Sequence, residues 1–241
     1  MRTGTTVTET RLVTGFNRVV LAAPHSNELI ITQGNREALT IEGPADLVPR
    51  LVTDVRHRTL YLGTGGGLLE KVKDALTTSL TRPHIRFCLA VREIAAIEVS
   101  AMAQVRAAAV KAGELRLKFH GAGELRIDSL LADRLEVEQS GMGRVELAGH
   151  VTQQRVSLFG SGHFQAPELE SHEAQVTVKG MGSAVVWATR DLLVTVRGTG
   201  QVSYYGAPRL SGSVAPLGSL VSLGAHGRLC ESMEGSLGAA R

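Results

Sequence analysis

Histidines, cysteines, serines and carboxylates are the residues of this chain that could bind a metal or move a proton. The histidines are His25, His57, His84, His120, His150, His163, His172 and His226. No two stand at the spacing with which a helix or short loop presents a ligand pair to one metal ion. His120 directly precedes Gly121 and His163 directly follows Gly162. Both therefore sit beside a Gly-x-Gly element, but at different offsets, so no shared site is expected. Ser161 lies between Gly160 and Gly162 without the setting of a nucleophile elbow. The stretch from Gly63 to Gly67 suggests a phosphate loop, yet no Gly-Lys-Ser/Thr follows it. Cys88 and Cys230 form no metal or redox motif and read as two half-buried thiols, with a disulfide left open. A polysaccharide lyase or hydrolase would need clustered acids. Glu124, Glu136, Glu138 and Glu146 are the candidates. On these grounds no catalytic residue, cofactor-binding residue, cofactor or metal ligand is assigned.

The elements that would have to position any site are repeats. Gly-x-Gly occurs at Gly121–Gly123, Gly141–Gly143, Gly160–Gly162, Gly180–Gly182 and Gly198–Gly200, with first glycines 20, 19, 20 and 18 residues apart. Four residues before them stand Leu117, Val137, Val156, Val176 and Val194; two before stand Phe119, Gln139, Leu158, Val178 and Val196. Polar residues lie between. After the glycines come Leu125, Val145, Phe164, Ala184 and Val202, then Ile127, Leu147, Ala166, Val186 and Tyr204. Period-two alternation makes a strand with one buried face. A unit of about 20 residues cannot bury that face alone, and stacked copies solve the problem. The fold class is therefore all-β: a parallel β-solenoid with coils of about 18–20 residues and glycines at corners, where a side chain would meet the adjoining coil. Met142 and Met181, in the middle of two corners, read as corner packing rather than as markers of a ligand groove.

This winding fixes a register that charges can check. Residues one coil apart should stand about 4.8 Å apart and should not repel. The pairs Arg116/Glu136, Lys118/Glu138, Glu124/Arg144 and Arg126/Glu146 are all opposite in sign, and Glu136 next meets Arg155. Exposed pairs contribute at most about 1 kcal/mol each. Their value lies in the register, and they suit stabilising ladders better than a catalytic cleft.

The 241 residues carry a net charge of +3 with mixed signs throughout, which gives no basic patch for nucleic acid. No run is long and apolar enough to span a bilayer, and Met1 to Thr14 lacks the core of a signal peptide. A cytoplasmic location is expected for the chain as written, or the cell surface or periplasm if the N-terminus is truncated. Residues 1–14 are expected to be flexible, 15–223 to form one solenoid, and 224–241 to be a flexible tail. Phe16 to Leu62 reads as loosely written opening coils that cap the amino-terminal end. Leu68, Leu69, Val72, Ala75, Leu76 and Leu80 share one helical face ahead of Pro83, which predicts an inserted amphipathic helix over about 67–81. At Ser100 to Val105 the corner recurs with alanines, and after Gly200 it decays to Pro216-Leu217-Gly218-Ser219.

Gly15-Phe16-Asn17-Arg18-Val19, Ile85-Arg86-Phe87, Ile97-Glu98-Val99-Ser100-Ala101, Ser140-Gly141-Met142-Gly143, Phe159-Gly160-Ser161-Gly162 and Tyr205-Gly206-Ala207-Pro208 together resemble the bacterial "putative auto-transporter adhesin, head GIN domain" family. The resemblance runs from about Phe16 to Leu223. It implies a right-handed, parallel β-helix-like domain of bacterial origin and supplies no catalytic residues. His120, Lys179 and Arg197 stand where serines precede the glycine pairs in the family. The functional expectation is a non-enzymatic binding, adhesion-type or scaffolding domain for a protein or glycan ligand. The alternatives are a carbohydrate-active β-helix enzyme and a self-assembling solenoid, with a homo-oligomer left open.

Overall fold

The computed structural model describes residues 5–23, 26–64 and 84–226. Five long strands turn the repeat into coils: β9 (Met102–Phe119), β10 (Ala122–Gly141), β11 (Arg144–Gly160), β12 (His163–Gly180) and β13 (Ser183–Gly198). Each bends around three sides of one rung and pairs in parallel with the strand before and after it. In β10 the inward residues Leu125, Ile127, Leu130, Ala132, Leu135 and Val137 are buried, and their counterparts on the other rungs continue the same columns. A closing rung is made by β14 (Gln201–Tyr205), β15 (Arg209–Val214) and β16 (Ser219–Ser222). The solenoid has about six turns.

All four charge pairs fall in register: Arg116 beside Glu136, Lys118 beside Glu138, Glu124 beside Arg144 and Arg126 beside Glu146, with Arg155 next to Glu136. Glycine at the corners is a steric requirement. A Cβ on Gly121 would lie 1.9 Å from the Ala101 carbonyl oxygen of the rung behind. At Gly143, a second corner position, the obstacle is a side chain: a Cβ there would lie 2.1 Å from Phe119 Cε1. Gly218 keeps this role over Val196, so the decayed last corner is still a corner.

The amino-terminal end departs from simple successive coils. β2 (Arg18–Leu21) lies between β6 (Thr59–Thr64) and β8 (Ala96–Val99). Likewise β3 (Ser26–Gln33) lies between β7 (His84–Val91) and β9. The earliest strands thus interleave with later ones. Three further strands run antiparallel: β1 (Thr6–Arg11) on β4 (Ala38–Pro44), β4 on β7, and β5 (Leu51–Arg56) on β6. The β5–β6 hairpin turns through His57 and Arg58, both at positive φ (48° and 61°), as a two-residue turn between right-twisted strands requires.

Residues 1–14, expected to be flexible, include strand β1 at the edge of the sheet. The expected helix over 67–81 lies outside the described residues. Among the described residues the only helical turn is the 3-10 segment Val48–Arg50. The tail expected from 224 begins ordered: His226 stacks on Trp187 with ring centroids 4.0 Å apart.

Candidate functional site

A groove of about 920 Å³ runs along the flank of the solenoid, where the second and third sides of each rung meet. Two outward columns line it. The first runs Glu114, Arg134, Gln153, Glu173, Asp191 and Arg209, one residue per rung. The second runs Arg116, Glu136, Arg155, Gln175, Leu193 and Ser211 in the same register. Alternation within the strands sends both columns outward, and stacking sets successive groups one strand spacing apart.

Most of these groups hold one another. Arg116 Nε donates to Glu136 Oε2 at 2.7 Å, and this hydrogen bond keeps the guanidinium firmly protonated, its pKa raised. Arg134 donates to Gln153 at 3.4 Å, and Gln153 donates to Glu173 at 3.0 Å. Arg209 grips Asp191 through two donors at 2.9 and 3.2 Å. Arg155, midway along, makes no ion pair or hydrogen bond with the described residues and stands exposed to solvent. Four arginines and four carboxylates balance the charge of the groove. Beneath it, buried Gln154 donates to Ser171 Oγ at 2.8 Å, and Ser171 donates to the Trp187 carbonyl at 2.7 Å.

The residues singled out by type do not converge. His120 Nδ1 lies 2.6 Å from Ser140 Oγ and His163 Nδ1 lies 2.7 Å from Ser183 Oγ, two separate rung-to-rung contacts in different columns. Glu136 lines the groove, Glu146 binds Arg126 at 3.3 Å, and Glu124 and Glu138 sit in register with Arg144 and Lys118. Ser161 is in a corner between positions one rung apart, as expected of it. Met142 and Met181 correct the expectation of corner packing: they are 78% and 69% exposed, because the middle residue of each corner points away from the rungs. Cys88 is exposed, and Cys230 lies outside the described residues. Among the described residues no three His, Cys, Asp or Glu groups are placed to hold a metal ion. No helix of the described residues is long and apolar enough to cross a membrane.

Sequence reasoning missed the groove's first column. The signal was available, since the same repeat offsets, 20 residues in one place and 18 in the other, put Glu114 before Arg134 and Asp191 before Arg209. It also missed His226, whose Nε2 lies 3.3 Å from Glu168 while its ring covers Trp187. No local pattern announces that return.

The profile of the "putative auto-transporter adhesin, head GIN domain" family matches residues 15–208. The chain belongs to this family. No curated protein matches it. Among solved structures, a putative adhesin from Bacteroides fragilis is similar over 91% of this chain and 97% of its own, with a TM-score of 0.82 and 22% identity. A protein from Parabacteroides distasonis titled a putative lipid binding protein is similar over 92% and 98%, at 0.70 and 19%. A putative adhesin from Parabacteroides merdae is similar over 92% and 97%, at 0.67 and 18%. At these identities the likeness establishes a shared fold.

Proposed function

We propose that this is a non-enzymatic, adhesion-type binding domain whose flank groove takes a neutral glycan lying along the solenoid axis. The observation that carries the reading is the pair of ladders themselves. Guanidinium, carboxylate and amide groups alternate at fixed intervals, so donors and acceptors are both offered along the whole length. Hydroxyl groups, which donate and accept, complement such a surface. The balanced charge does not favour a polyanion. Leu193 and Leu210 are the apolar residues exposed in the groove, which leaves little to anchor the side chains of a peptide. Family membership supports adhesion.

Carboxylates already bound to arginine suit recognition better than proton transfer, and this favours binding over hydrolysis. Affinity electrophoresis of the purified protein through neutral polysaccharides tests it, with Arg155→Ala and Gln153→Ala expected to abolish retardation. Shortened polysaccharide chains would instead establish an enzyme, and retention only by peptides would move the ligand class. The same reading includes right-handed winding, the sense favoured for parallel crossovers, which a density map of the coils decides. Localisation belongs to it as well. We propose a surface or periplasmic site if a leader precedes Met1, and a cytoplasmic one otherwise; fractionation of the native cells distinguishes them.

A further inference from the structure

The two ends of the solenoid are finished differently. At the amino-terminal end the outermost strands are β1 and β5, each held antiparallel by one neighbour. Both carry ion pairs, Glu9 with Arg11 and Asp54 with Arg56. Charged residues on an edge strand discourage further pairing. At the other end the outermost described strands are β15 and β16, which among the described residues pair only with β13 and β14. They hold a single charge, Arg209, and Asp191 already binds it. Leu210, Val214, Leu217, Val221 and Leu223 are all exposed there. Leu210 and Val214 continue the columns of buried Leu192 and Val196, so they are interior positions of a rung that nothing described covers.

As far as His226, the last described residue, the chain beyond β16 does not run across this end. Gly206 donates its N–H to the Gly224 carbonyl at 2.9 Å, and His226 lies against Trp187 and Glu168. Those two residues belong to β13 and β12, so the chain has turned back along the flank of earlier rungs.

We propose that the carboxy-terminal end pairs with the same end of a second copy, forming a closed two-fold dimer. Antiparallel pairing of the β15 and β16 edges would satisfy their free backbone groups and cover the exposed leucines and valines. An antiparallel arrangement keeps the two Arg209 residues at opposite ends of the strand pair, so like charges do not meet. A two-fold contact uses one surface twice and closes on itself. The charged amino-terminal edges fit neither this surface nor each other, so the assembly stops at two.

Sedimentation equilibrium of the full chain tests this, with an expected mass approaching twice 25.6 kDa as concentration rises. Joint Val214→Lys and Val221→Lys substitution should weaken association by about a hundredfold, since like charges would meet at the contact, with far-UV dichroism unchanged. Hydrogen exchange on the unaltered protein gives an independent reading. The amides of β15 and β16 should exchange roughly tenfold more slowly in concentrated than in dilute samples. A monomer at every concentration, a dimer indifferent to both lysines, or open-ended polymers would each overturn the proposal. So would edge amides equally protected at all dilutions, which would mean that the chain's own later residues cover them.

Discussion

Three of the second corner glycines, Gly143, Gly162 and Gly200, are dictated by a side chain of the rung behind, whereas at Gly123 and Gly182 the obstacle is backbone. A Cβ on Gly143 would meet the buried Phe119 ring at 2.1 Å, and one on Gly200 would meet Val178 Cγ1 at 2.5 Å. Gly143→Ala must therefore displace a buried phenyl ring between two packed rungs, and about 3 kcal/mol of stability should be lost. Gly34 has nothing within 4 Å of the same position, so Gly34→Ala should change stability by less than about 0.5 kcal/mol. Urea midpoints of the two variants decide the matter, and similar midpoints would remove the steric explanation. A second residue-scale effect is electrostatic. Arg86 donates to Glu28 at 2.7 Å and His84 stands 3.5 Å away, and the Arg86 hydrogen bond holds the Glu28 carboxyl below its ordinary 4.5 although burial opposes it. A carboxyl depressed in the folded state binds its proton more readily when unfolded. Its stabilisation is thus present above pH 4.5 and is lost as pH falls through the lower folded value. Thermal unfolding of Glu28→Gln should accordingly show less loss than the parent chain as pH drops below 4.5; parallel curves would contradict it.

At the scale of strands, the ladders align the rungs more than they strengthen them. Arg116 and Glu136 are 2.7 Å apart with both side chains partly exposed. A double-mutant cycle at this pair should return less than about 1 kcal/mol of coupling, falling with added salt. Coupling of several kcal/mol, insensitive to salt, would show the pair to be structural in a stronger sense. The same ladders explain why the coils could be read from sequence: Leu117, Val137, Val156, Val176 and Val194 hold one offset because each must cover the next. Nothing comparable marks the amino-terminal strands. β2 pairs with β6 and β8, strands about 40 and 78 residues further along the chain, and alternation within Arg18–Leu21 carries no trace of those partners. Outward residues are equally silent on shape. Period-two patterning says that Arg134 and Glu136 point out, while the concavity they line comes from the bend between two sides of a rung.

For the whole molecule, the proposed binding mode has a length built into it. Glu114 to Arg209 spans six rungs, or five intervals of about 4.8 Å, which makes the groove about 24 Å long. A chain lying along it gains contacts with each added unit until it fills that length, and then gains nothing further. Affinity measured by calorimetry over an oligosaccharide series should therefore climb and level off near an extended length of about 24 Å. Position along the groove should matter too. Arg155 is midway, so Arg155→Ala should weaken short and long oligomers alike. Arg209 is at one end, so Arg209→Ala should weaken only those long enough to reach it. A ligand held at one point would give affinities independent of length and equal sensitivity to Arg209 at every length, and the ladder would then be an ornament of the fold's stability rather than its recognition surface.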